Sequence, residues 1–242
     1  MRSHTAFLGH SIALIAAAVV LATHAGAQPT EVTAQAKVRV TGAAKASKHH
    51  SNEGVVLWLT SVDTPLPSRP STPSRDRLQL AQKNKEFVPH LLVVQVGSTV
   101  EFPNLDPFFH NVFSQFNGKR FDLGLYESGS SRSVHFDKPG VSYIFCNIHP
   151  EMSAVVVSVP TPYFTTSSAA GSLIIHDVIP GTYMMHVWAM GNSDSDLAAN
   201  ERRISVSGTS LDLGTIALKE SAPGPHKNKF GEDYDTTKPS PY

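Results

Sequence analysis

Cys146, the only cysteine of this 242-residue chain, is followed by an imidazole at His149 and a thioether at Met152. The segment is Phe145-Cys146-Asn147-Ile148-His149-Pro150-Glu151-Met152, so three metal-binding side chains recur at three-residue intervals. A second imidazole, His110, lies upstream in Pro107-Phe108-Phe109-His110-Asn111-Val112. A thiolate and two imidazoles in a trigonal set, with a distant axial Met, are the donors of blue-copper electron-transfer chemistry. Zinc accepts thiolate and imidazole but has little use for a thioether, so Met152 favours copper. Two other readings of the same residues exist. A cysteine on a strand commonly packs as a small hydrophobe, and a thiolate beside an imidazole is a protease-like nucleophile. Neither explains Met152 or the spacing.

The elements that must position these residues read as strands. Short runs rich in Val, Ile, Tyr and Phe, bounded by Gly, Pro, Asn or Ser, occur at 37–40, 54–59, 91–96, 98–102, 141–145 and 153–159. Later runs occupy 172–176, 182–188, 203–207 and 211–218. The only helical expectation is a short piece at 76–83. The fold class expected is all-β and sandwich-like. A Pro/Ser/Thr-rich stretch at 63–75 reads as an extended linker, and a second Pro/Thr/Ser/Ala stretch at 160–170 marks another boundary. The polar tail 219–242 lacks periodicity and reads as disordered. The simplest arrangement joins 33–62 and 171–218 into one small sandwich, with the block 76–159, which holds Cys146, inserted into it.

The N-terminus bears on compartment. Met1-Arg2, the apolar run 12–22 and Ala25-Gly26-Ala27 form a secretory signal pattern, with cleavage expected after Ala27 and export to a periplasm. The run is half the roughly 20 residues a membrane span needs, so no span is expected after cleavage. In an oxidising compartment a lone thiol is a liability unless buried or bound. The 20 Lys+Arg balance 20 Asp+Glu without a basic block, which excludes nucleic acid as a partner.

The segment 87–159 resembles a cupredoxin, and its ligand loop is closest to the amicyanin pattern C-x2-H-x2-M with a proline after the His, here Pro150. Val96-Gly97-Ser98-Thr99-Val100-Glu101-Phe102-Pro103-Asn104, His110-Asn111-Val112 and Phe136-Asp137-Lys138-Pro139-Gly140-Val141-Ser142-Tyr143 match the family's approach to its ligands. The resemblance implies a Greek-key β-sandwich with one type 1 copper ion on His110, Cys146 and His149, and Met152 axial. It also implies an N–H of Asn111 directed at the cysteine sulfur. The residue before the second His, often proline in the family, is Ile148. A weaker resemblance links Val55-Val56-Leu57-Trp58-Leu59, Gly171, Ile175, Val178, Pro180-Gly181, Tyr183 and Val187-Trp188 to carboxypeptidase-regulatory or transthyretin-like sandwiches, which implies a structural platform.

The function expected is single-electron transport between redox proteins such as a c-type cytochrome and a periplasmic dehydrogenase, of which a methylamine-dehydrogenase-type donor is one. The alternative is copper binding or delivery without electron transfer. No catalytic set is found; copper enzymes with further copper centres use His-x-His pairs, which this chain lacks. His149, on its loop, is the expected exposed electron port, with Phe108, Phe109, Ile148 and Pro150 as an apolar docking rim. His49-His50 read as a solvated pair, His90, His135, His176 and His186 as structural, and Met184, Met185 and Met190 as core. Removing residues 1–27 takes away Arg2 and no acid, leaving 19 basic against 20 acidic residues and little overall field for steering.

Overall fold

The computed structural model describes residues 32–41, 52–63, 78–115, 118–219 and 227–233. The signal pattern, His49-His50, His226 and nearly all of the 63–75 linker lie outside the described residues. The first two strands among the described residues are β1 (Val32–Thr41) and β2 (Val56–Ser61). A central block follows with β3 (Ala81–Lys83), β4 (Glu86–Val88), β5 (Leu91–Gln95), β6 (Ser98–Pro103), β7 (His110–Ser114) and β8 (Phe121–Tyr126). It continues with β9 (Ser131–Phe136), β10 (Gly140–Cys146) and β11 (Ser153–Val159). The last part holds β12 (Phe164–Thr166), β13 (Ser172–Val178), β14 (Gly181–Trp188), the helix α1 (Asp194–Ala198), β15 (Arg202–Val206) and β16 (Ser210–Lys219). The protein is all-β, with that one short helix among the described residues. No helix among them is long and apolar enough to cross a membrane.

Strand pairing separates the chain into layers. The first and last parts interleave: β1 lies between β13 and β16, and β2 lies between β12 and β14, with β15 at the edge beyond β14. The central block forms a five-stranded sheet ordered β5-β11-β10-β7-β8, faced by the β6-β9 pair. Alternation along the strands explains how the layers stack. Val55, just before β2, and Leu57 and Leu59 on it enter one core with Tyr183, Met185 and Val187 of β14, whereas Val56 and Trp58 face the other way. On β11, Ala154 and Val156 enter the core that includes Cys146, and Val155, Val157 and Val159 meet Val56 and Trp188 across the layer boundary. The apolar run Ala154–Val157 of β11 therefore marks a strand buried on both faces.

Several expectations are corrected. The segment expected to be helical at 76–83 instead holds β3, because Gln79 bridges Glu101 and Gln82 bridges Asn104, so the edge of β6 captures its backbone. The 160–170 stretch is more than a boundary: β12 pairs with β2, and Tyr163 is buried in the core between the outer sheets. The tail is not wholly without structure, since Lys219 closes β16 and 227–233 packs on the central block. β7, β8 and β9 lie where no strand was read; β9 carries Ser131, Arg132, Ser133 and His135 outside and buries only Val134 and Phe136, too short an alternation to stand out.

Trp188 is 6% exposed and sits at the boundary shared by the two β-sheet stacks. Trp188→Ala is expected to cost about 3–5 kcal/mol, the range for deleting a large buried ring. Urea unfolding followed by circular dichroism measures it; a loss below about 1 kcal/mol would show that the boundary contributes little.

Candidate metal centre

Adjacent strand ends gather the donors. β10 runs between β7 and β11, with Cys146 opposite Val112 and Phe145 opposite both Phe113 and Ser153. Because β7 and β11 are both antiparallel to β10, the start of each lies at the end of β10 where Cys146 sits. His110 opens β7, and Met152 immediately precedes β11. The intervening loop is closed by its own backbone: Met152 N–H donates to the His149 carbonyl at 3.1 Å, and Cys146 N–H to the Met152 carbonyl at 3.2 Å. Asn147 N–H donates to the Asn111 carbonyl at 3.0 Å, tying the residues that follow Cys146 and His110.

The result is a compact triangle. Cys146 Sγ lies 3.6 Å from His110 Nδ1 and 3.5 Å from His149 Nδ1, and the two nitrogens are 3.1 Å apart. The centre of that triangle is about 2.0 Å from each corner, which is the length of a metal–imidazole bond and slightly short of a metal–thiolate bond. His110, Cys146 and His149 form the one such group of potential metal ligands among the described residues. All three are fully buried, and Met152 is buried in the same apolar cluster as Cys146. A soft thiolate, two imidazoles and a neighbouring thioether suit a copper ion.

Tautomer and charge follow from the partners. The His110 Nε2–H donates to Asp106 Oδ2 at 2.9 Å, since a carboxylate can only accept, and this leaves Nδ1 with its lone pair toward the triangle. Burial works to raise the Asp106 pKa, but hydrogen bonds from Lys85 N–H, His110 and Asn84 N–H outweigh it and hold the carboxyl below its usual value. Burial lowers the His110 pKa despite the Asp106 partner. Burial and then the neighbouring His110 push His149 down to about 4. The Cys146 thiol is pushed up by burial, against hydrogen bonds from the backbone of Asn111, Ile148 and His149. The sulfur therefore keeps its proton near neutral pH until a metal displaces it.

His149 is 0% exposed, which corrects its expected role as an exposed port. The Phe108 ring packs against both imidazoles, 5.3 Å from His110 and 5.6 Å from His149 between ring centres. His149 Nε2 has no hydrogen-bond partner among the described residues. Of the expected rim, Phe109 and Pro150 are exposed while Phe108 and Ile148 are half-buried. Leu105, on the loop before His110, is exposed as well.

The chain matches no family model and no curated protein. Solved structures to which it is similar include a Cu-containing nitrite reductase from Thermus scotoductus SA-01, 26% identical over 34% of this chain with a TM-score of 0.33. The match spans only 22% of that enzyme's chain. A purple cupredoxin from Nitrosopumilus maritimus is 25% identical over 35% of this chain and 100% of its own, with a TM-score of 0.31. A reduced single-residue variant of amicyanin is 21% identical over 34% of this chain and 82% of its own, with a TM-score of 0.31.

Other expected residues fall elsewhere. His186 stacks on Trp58 and bonds Thr60 and Glu201, and His135 meets Thr99. Met185 is buried in the outer core, and Met190 packs at the layer boundary. Two features of the site were not read from the sequence. Asp106 stands four residues before His110, and an acid so placed in a Pro-bearing loop was the available signal. The second is the C-terminal turn: Lys229 N–H donates to Asn147 Oδ1 at 3.0 Å, and its ammonium is 2.9 Å from Asp122 Oδ2. Asp122 Oδ1 also accepts from Asn111 Nδ2 at 2.7 Å, so this turn is linked to the residues following both His110 and Cys146.

Two outcomes are expected of the metal-free protein. His149 favours its neutral form when folded, so its contribution to stability is fully present above its ordinary value of about 6.5 and is lost as pH falls toward about 4. A loss of roughly 1–3 kcal/mol over that interval in urea titrations is expected, and is smaller in His149→Phe, where the lowered His110 still contributes. Deleting residues 220–242 should quicken amide hydrogen exchange in the 146–152 loop without altering exchange in β1 or β14; unchanged loop exchange would show that the turn holds nothing there.

Proposed function

We propose that the chain is an exported cupredoxin that carries single electrons through one type 1 copper ion, which His110, Cys146 and His149 would hold, with Met152 as a further donor. The observation that carries this reading is the triangle of Cys146 Sγ and two Nδ1 atoms, with sides of 3.1 to 3.6 Å, closed from water. Copper bound there supplies a one-electron couple, and the protein's contribution is to hold its donors in one arrangement for both oxidation states. His110 keeps its proton on Nε2, bound to Asp106, so that Nδ1 is always free to donate. Cys146 and His149 are fixed by the closed loop that ends at Met152. Phe108 excludes water from both imidazoles and forms the short apolar route from His149 to the surface.

Exposed Phe109, Pro150 and Leu105 give this end of the protein the character of a small apolar docking area, suited to brief encounters with a c-type cytochrome or a periplasmic dehydrogenase. The flanking sheets serve as a platform. Export by the 1–27 segment accords with a thiol that metal ligation would protect from oxidation.

Adding Cu(II) to the purified protein is expected to produce an intense thiolate-to-copper absorption and narrow EPR hyperfine splitting, both lost in Cys146→Ser. A colourless product that binds zinc instead would overturn the proposal. Rapid reversible oxidation by a c-type cytochrome, with copper retained, distinguishes a carrier from a delivery protein, which would release copper to a metal-free acceptor.

A further inference from the structure

Behind His110 lies a buried carboxylate that copper ligation does not itself require. Asp106 is 3% exposed, and its two oxygens accept from three N–H groups: Asn84 and Lys85 of the backbone, and His110 Nε2. The two backbone donors come from the tight turn between β3 and β4, where Asn84 and Lys85 both have φ of 57°. Positive φ at both central residues is the form of hairpin turn that continues the strand twist, and asparagine tolerates it readily. That turn presents consecutive N–H groups to one carboxylate. From the other side, Asn104 Oδ1 accepts the Asp106 N–H at 3.0 Å, and Asn104 Nδ2 donates to the Phe108 carbonyl at 2.8 Å and the Tyr126 carbonyl at 3.3 Å. The carboxylate is thus fixed by the β3-β4 turn while Asn104 pins the backbone that carries it, and His110 is held through it.

A carboxylate bonded to the far nitrogen of a metal-binding imidazole does two things. It fixes the tautomer and ring orientation, and it makes the ligand more basic, which favours the more highly charged ion. A negative charge in a site shielded from water also stabilises the oxidised metal more than the reduced one. We propose that Asp106 is a positioning residue that holds His110 Nδ1 toward the centre and lowers the reduction potential of copper bound there. The effect on potential rests on the copper reading above, whereas the effect on His110 does not.

The experiment treats the two separately. In the full metal-free protein, nitrogen-15 NMR of the histidine rings should show His110 as a single tautomer protonated at Nε2. That preference should persist in Asp106→Asn, which keeps an acceptor oxygen, and become mixed in Asp106→Ala. A mixed tautomer in the parent protein, or an unchanged one in Asp106→Ala, overturns the positioning role even if no copper protein forms. In the copper-loaded protein, Asp106→Asn should raise the reduction potential while retaining the thiolate-to-copper absorption. Asp137→Asn, which removes an exposed carboxylate paired with Lys119, is the control and should leave the potential unchanged. Equal potentials in the Asp106→Asn and Asp137→Asn proteins overturn the charge effect. Cu(II) affinity in Asp106→Ala should fall about 10–100-fold, as is usual when such a partner is lost. If Asp106→Ala does not fold, the parent tautomer and the near-isosteric Asp106→Asn still decide both parts. A parent protein that shows the single tautomer but never the absorption would sink the copper reading and leave the positioning role standing.

Discussion

Three lone-pair donors packed within 3.6 Å of one another and fully buried form the constraint around which the central block is organised. Left alone, such groups crowd their electron pairs and bury polar atoms at a cost of about 1–3 kcal/mol each where no partner is found. The protein meets part of this by hydrogen bonds, giving His110 a carboxylate and the sulfur three backbone N–H groups. His149 Nε2 is left without one among the described residues. Burial then pulls both imidazoles toward their neutral, donating form and keeps the thiol protonated. Such a site is poised for a cation that takes the sulfur proton's place.

Holding this arrangement falls to ordinary sheet geometry. Cys146 and His110 are placed by cross-strand register, and His149 and Met152 by a loop that bonds to itself. The strand after the loop, β11, anchors the metal end of the sheet in one core and the layer boundary in another through alternate side chains. A one-residue slip of β11 would exchange those two faces and move Met152 with them. The double burial of this strand therefore protects the register on which the donor set depends.

How much of this could be read from the residues depends on the range of the interactions involved. The spacing of Cys146, His149 and Met152 is local and legible, as are the strands β11 and β2, rich in Val or Leu. His110 is legible as a donor, but the strand it opens is not, since β7 is defined by pairing with β8 and β10. The burial of His149 is not legible because its cover, Phe108, comes from a loop 41 residues away in sequence. Asp106 was overlooked for the same reason: what makes it special is a turn at Asn84-Lys85, remote in the chain. The expected helix at 76–83 failed because pairing with β6 overrode local preference.

The position of β1 has a bearing on how the chain is made. Its neighbours on either side, β13 and β16, lie at 172–178 and 210–219, so a growing chain carries β1 without either partner while the whole central block is made, and with one edge open until β16 follows. The central block completes its own pairings by residue 159. Synthesis thus delivers the metal-binding layer first and its outer sheets afterwards, and the exposed edges of β1 in the meantime invite association with other chains. Keeping the chain extended until it is complete, as passage through a membrane channel does, would relieve that exposure.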